Sequence, residues 1–320
     1  MKNLTTPFIT CSLIINPCTF RSETLEKLDD AYGFFFPANV LTYPSHDPQT
    51  YYNKVKECQT FSENYGYFSE VHPLVGKFTP NKQDIDITLN ILKIIHEKLA
   101  GDLRIHATNE ILSKVLAYRD LKEKMEIPIP IDDGKLTTYT VDTVFNLWHG
   151  MPAFALLPKD NESASPLLIY RGTEFSLKGW GSILSDLDFK GPGFSAFRKA
   201  QPSIHAWLEK IGKKTRVLGF SLGGALTAYT LLFEKDLISS AVAFNMPGLS
   251  LKNYQKWQTL ENLPPFTVYL TQGDFVAKIG RTIGNLRICS LPERMKPLTA
   301  HTTLISFAST FYLSKSLESK

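Results

Sequence analysis

The stretch Arg216–Leu232, RVLGFSLGGALTAYTLL, admits few local structures. The short run Thr215, Arg216, Val217, Leu218 reads as a buried strand, and Gly224, Ala225, Leu226, Ala228 and Leu231 read as a helix with a small-residue face. Between them lies Gly219-Phe220-Ser221-Leu222-Gly223, a G-x-S-x-G pattern flanked as a strand–turn–helix requires. A serine on such a turn takes strained backbone angles, and its hydroxyl is pushed out over the sheet edge. Glycines two residues to either side avoid a Cβ that would strike the neighbouring strand or helix, and Gly224 and Ala225 let the helix pack close. The bland reading of the same residues is a Gly-Ser turn leading into a packing helix. The flanking strand and helix favour a nucleophile.

A chain of 320 residues has room for one large α/β domain or two domains. Its 43% hydrophobic and 21% charged residues match an ordinary globular protein. The net charge of +4 is mild, and no Lys/Arg-rich run with interleaved aromatics is present, which argues against nucleic-acid binding. A weak bias toward anionic surfaces such as lipid head groups fits that charge. Cys11, Cys18, Cys58 and Cys289 are scattered without metal-ligand spacing and read as small apolar residues of a reducing compartment. The FITCSLII stretch near the N-terminus is a poor signal peptide, and no run approaches the length of a membrane span, so the cytoplasm is the default location, with export by a route that has no readable signal as the alternative.

Taken in order, residues 1–80 are aromatic-rich and broken by prolines, with Thr79-Pro80 reading as the start of a helix. Leu89, Leu92, Ile95 and Leu99 recur at helical spacing, and Asn109 is placed to cap a second helix bearing Ile111, Leu112, Val115, Leu116 and Met125. Pro128, Pro130 and Asp132-Asp133-Gly134 mark a boundary, dividing the chain into an N-terminal helical extension or cover, 1–130, and a domain at 131–320. Thr138–Leu147 and Met151–Leu157 form an expected hairpin around His149-Gly150. Leu167–Tyr170, the elbow strand, Ser239–Asn245 and Phe266–Thr271 are expected buried strands, with Arg287–Leu291 a further strand or a loop. Ser195–Lys213 reads as a helix interrupted near Pro202, and a C-terminal apolar helix is expected over Thr302–Leu313. His96, His106 and His205 read as structural.

Acyl transfer at a serine needs two donors aimed at the developing oxyanion. One is the backbone N–H of the residue after the serine, Leu222; Thr173, just past the strand at Leu167–Tyr170, is placed to give the second. An ordinary capping threonine is the even alternative at Thr173. Phe175–Leu184, with Phe175 and Trp180 among its apolar residues and glycines at 179 and 181, reads either as a lid or as an amphipathic helix on the core. Asp274 falls just past the carboxyl end of a strand, where such sheets gather functional residues. His301 is the only histidine after Ser221. The order Ser221, Asp274, His301 suits a triad in which His301 moves the proton and Asp274 holds its tautomer. Asp274 as a turn aspartate and His301 as a helix cap are the plain readings, and Asp236 is the weaker rival for the acid.

From about Tyr139 to His301 the chain resembles the fungal-type class 3 lipases. The segments that carry the likeness are LLIYRGTE (Leu167–Glu174), SDLDF (Ser185–Phe189), Gly193-Phe194, GFSLGGALT (Gly219–Thr227), FNMPG (Phe244–Gly248), Gly273-Asp274 with Val276, and the late His301. The resemblance implies an α/β-hydrolase fold with a mostly parallel central sheet flanked by helices and a Ser221–Asp274–His301 triad. It also implies Thr173 in the oxyanion hole, a lid from Glu174 to about Leu184, and neither cofactor nor metal. Phe175 and Trp180 on that lid, with Phe220, are the expected substrate contacts. Phe220 stands where the family usually has histidine, Gly191-Pro192 where a histidine often precedes Gly-Phe, and Phe275 where proline commonly follows the acid. The expectation is a serine hydrolase of carboxylic esters, most of all acyl lipids at a lipid or membrane surface. The alternatives are an inactive binding or effector protein on the same fold and, with no positive feature, a serine peptidase.

Overall fold

The structure is a computed structural model and describes residues 59–60, 85–131, 134–147, 151–173, 190–274, 276–290, 297–307, 312–313 and 317–318. At its centre lies one sheet. Strand β5 (Leu167–Tyr170) pairs in parallel with β6 (Thr215–Phe220), β6 with β7 (Ile238–Phe244), β7 with β8 (Phe266–Thr271) and β8 with β9 (Asn285–Ser290). The antiparallel strands β4 (Pro152–Pro158), β3 (Leu136–Asn146) and β2 (Glu126–Pro130) continue it on one side. Short antiparallel pairings extend the other: β10 (Tyr312–Leu313) and β11 (Leu317–Glu318) on β9, and β1 (Gln59–Thr60) on β10.

The apolar run of each central strand is buried on both faces, and alternation decides which layer each side chain meets. Ile169, Leu218, Phe220, Val242, Phe244 and Tyr269 face one core, shared with helices α1 (Ile85–Lys98) and α2 (Gly101–Lys114). Leu168, Tyr170, Val217, Ala241, Ala243, Val268 and Leu270 face the other, shared with α3 (Phe194–Ile211) and α4 (Leu222–Glu234). The result is a helix–sheet–helix sandwich of the α/β-hydrolase type. The small side chains of β7 face α4, the closest-packed helix. The helices at 85–114 form one of the two layers over the sheet.

Several local expectations change. Asn109 does not cap a helix; it lies inside α2, which ends at Lys114 and passes through a 3-10 turn at Leu116–Tyr118. Thr79-Pro80 lies outside the described residues. Helix α3 runs unbroken through Pro202, whose ring points to solvent. The prolines at 128 and 130 sit within β2, which among the described residues pairs only with β3, so the missing N–H groups leave no ladder partner unmet there. Of the strand and the loop read for Arg287–Leu291, the strand is found: Arg287 lies in β9. No helix spans Thr302–Leu313: beyond α5 (Leu251–Gln258), α6 is Pro297–Thr302, followed by a 3-10 turn at Ile305–Phe307 and by β10. Among the described residues, no helix is long and apolar enough to cross a membrane.

Candidate active site

Ser221 occupies the turn between β6 and α4 with φ 56° and ψ −127°, a conformation that only glycine adopts without strain. Close packing enforces it. A Cβ on Gly219 would lie 2.2 Å from the carbonyl oxygen of Gly223, and one on Gly223 would lie 2.5 Å from that of Tyr170. The Ser221 N–H is held by the Phe244 carbonyl of β7, at 2.9 Å. Strand and helix are therefore pressed together too tightly for the turn to relax.

Three side chains from distant parts of the chain converge there. His301, on α6, has Nε2 at 2.9 Å from Ser221 Oγ, and its Nδ1 lies 2.9 Å from Asp274 Oδ2. A carboxylate only accepts, so Nδ1 carries the proton and Nε2 offers its lone pair to the serine hydroxyl. Asp274 follows the carboxyl end of β8. Its Oδ1 accepts the Val276 N–H at 2.9 Å, and its Oδ2 also accepts from Asn245 Nδ2 at 2.9 Å. Ser221, Asp274 and His301 are 3%, 1% and 0% exposed. Both oxygens of Asp274 are thus hydrogen-bonded and both ring nitrogens of His301 engaged, which holds the imidazole in one orientation.

The loop after β5 passes directly over this turn. A Cβ on Gly172 would stand 2.6 Å from the Phe220 carbonyl oxygen, 2.7 Å from the Tyr118 hydroxyl and 3.2 Å from Ser221 Cβ. Only glycine lets the backbone so near, and the half-buried Thr173 is the next residue. Leu222 begins α4, so its N–H is among those at the helix N-terminus left without an intrahelical acceptor.

No family model and no curated protein matches the chain. Solved structures do. A triacylglycerol lipase from Penicillium expansum is 14% identical over 60% of this chain and 82% of its own, with a TM-score of 0.43. The Rhizomucor miehei lipase–propeptide complex is 13% identical over 65% and 77%, with a TM-score of 0.42. Lip2 lipase from Yarrowia lipolytica is 13% identical over 67% and 84%, also with a TM-score of 0.42.

Phe175 and Trp180 lie outside the described residues, as does the whole expected lid. Phe220 is placed differently from expectation. It is fully buried, on the sheet face that meets α2, with its ring 4.9 Å from the imidazole of His301 and 6.3 Å from the ring of Tyr118. It therefore forms a packing surface behind the histidine. Asp236 is no rival for the acid: its side chain is 87% exposed beside Lys235, at the start of β7 and so at the opposite sheet edge from Asn245. His205 pairs with Glu234 on the surface. Cys289 is buried in β9, and among the described residues no group of three or more His, Cys, Asp or Glu side chains is arranged to hold a metal.

Asn245 escaped the sequence reading. It sits just past β7 at φ 50°, donates to Asp274 and, at 3.2 Å, to the Ala300 carbonyl, and accepts from Thr271 Oγ1 at 3.1 Å. One amide thus joins the acid to the residue before His301. The available signal was a polar residue ending an apolar strand, beside the elbow.

Proposed function

We propose that this protein is a serine hydrolase of carboxylic esters, acting on acyl lipids through an acyl-serine intermediate. The observation that carries the reading is His301 bridging Ser221 and Asp274 at 2.9 Å on each side, on a serine held at strained angles. In the first half-reaction Ser221 Oγ attacks the ester carbonyl carbon while its proton passes to His301 Nε2. Asp274 stabilises the resulting imidazolium. The backbone N–H groups of Leu222 and Thr173 receive the oxyanion, and the alcohol departs with the proton from His301. Water then attacks the acyl-serine by the same route, with His301 taking its proton, and the fatty acid leaves.

Support for acyl lipids comes from the sequence likeness at Leu167–Glu174 and Gly219–Thr227 and from the apolar Phe175 and Trp180 downstream. The test is hydrolysis of p-nitrophenyl esters of increasing chain length, with and without dispersed lipid. Ser221→Ala should lower kcat by at least about a thousandfold while the protein stays folded. Rates that rise with chain length or with an interface identify acyl lipids. Equal background rates in both proteins would overturn the enzyme reading for these esters.

A further inference from the structure

The segment that follows His301 is tied down by charged residues of α2, far earlier in the chain. Glu110 and Lys114, one helical turn apart on α2, form an ion pair at 2.9 Å with their side chains 0% and 1% exposed. Glu110 also accepts the backbone N–H of Ile305 at 3.0 Å and of Ser306 at 2.8 Å, one on each oxygen. Lys114 Nζ donates to the Thr303 carbonyl at 2.8 Å. Ser306 Oγ hydrogen-bonds His106 Nδ1 at 2.8 Å, from the preceding turn of α2. The ammonium of Lys114 lies 5.4 Å from the ring centre of Phe220, which packs in turn against the His301 ring.

A buried ion pair is a poor source of stability, because desolvation offsets most of its attraction and apolar residues of similar size often serve as well. An apolar pair offers no acceptor to two adjacent N–H groups and no donor to a carbonyl two residues away. We propose that Glu110 and Lys114 are positioning residues for the candidate base. By fixing the backbone at 303–306, they hold the His301 imidazole between Asp274 and Ser221. This rests on reading His301 as the proton carrier. It makes α2, outside the span of the family resemblance, part of the machinery that sets the site.

The double variant Glu110→Gln/Lys114→Met tests this, since it leaves no unpaired buried charge yet offers a single acceptor oxygen for two N–H groups. Glu110→Gln alone is the milder second variant. With folding verified by circular dichroism, the double variant should lose about 10- to 100-fold in kcat with KM unchanged within about twofold, as a slightly misplaced catalytic group does. The wild type should show a downfield proton resonance for the His301 Nδ1–H bond to Asp274, and in the double variant that resonance should be lost or broadened. The single variant should show a smaller change in the same direction. A folded double variant with wild-type kcat and an unchanged resonance overturns the proposal. Should the wild type neither hydrolyse esters nor react with a fluorophosphonate probe, the hydrolase reading fails. The resonance then decides positioning alone: unchanged in the double variant overturns it, lost supports it.

Discussion

Ser221 is held in a backbone conformation that costs about 1–3 kcal/mol in a residue with a Cβ. Its φ of 56° and ψ of −127° are imposed by the packing of β6 against α4, and the reward is a hydroxyl aimed at His301 Nε2. In the proposed hydrolase, activity and stability are therefore opposed at this residue. Ser221→Ala keeps the Cβ and the strain; Ser221→Gly releases it. The glycine variant should be more stable than the alanine variant by about 1 kcal/mol in urea unfolding, both being inactive. Identical stabilities would mean that the turn is not strained. Asn245, also at positive φ, shows the same logic, with side-chain bonds to Asp274, Thr271 and the Ala300 carbonyl fixing it there.

At the scale of elements, the β6–α4 unit is defined by what it excludes. A methyl on Gly219 would meet the Gly223 carbonyl at 2.2 Å and Thr227 Oγ1 at 2.7 Å, and the first contact is backbone that cannot rotate away. Gly219→Ala should therefore cost about 3 kcal/mol or more. Gly212→Ala makes a useful control: that glycine, at φ 62°, has no atom within 4 Å of an added Cβ, so only the left-handed backbone penalty of about 1 kcal/mol applies. Thermal melts of the two variants separate overpacking from backbone strain. The glycine spacing made this unit legible in the sequence. Helix α2 was not legible in the same way, because its buried half includes His106, Asn109, Glu110 and Lys114. Residue types that normally mark a solvated face are here satisfied by partners far off in sequence, such as Arg216 bonding Asn109 at 2.9 Å.

At the scale of the molecule, that buried polar layer makes stability depend on pH. Burial pulls the His106 imidazole down from 6.5 to about 4, with Lys114 and Arg287 adding to the shift and Glu110 opposing it. Burial raises the Glu110 carboxyl, but Lys114, His106 and the bonds from Ser306 outweigh it and hold the group below its ordinary value. The unfolded chain then binds the extra proton at His106 between pH 6.5 and about 4, so the folded state loses stability as pH falls through that window. The loss from His106 should approach about 3 kcal/mol, with Glu110 adding to it below its ordinary value of 4.5. Urea unfolding at stepped pH should show the decline above pH 4.5, and His106→Gln should flatten it. An unchanged slope in the variant would place the acid sensitivity elsewhere.

The elbow, the buried strands and the chain order Ser221, Asp274, His301 were readable from residues alone. Each depends on a local rule: glycine spacing around a tight turn, continuous apolar runs for strands buried on both faces, polar residues at strand ends. Which face each helix covers, that Asp236 is excluded and that Phe220 backs the histidine all depend on where separate segments meet. So does the pinning of the segment after His301 by Glu110 and Lys114, from positions nearly 200 residues earlier. Local rules describe what a segment can become on its own. Whether a buried charge is tolerated is settled only by the partners that folding brings to it, because its desolvation must be offset by bonds that no local sequence contains.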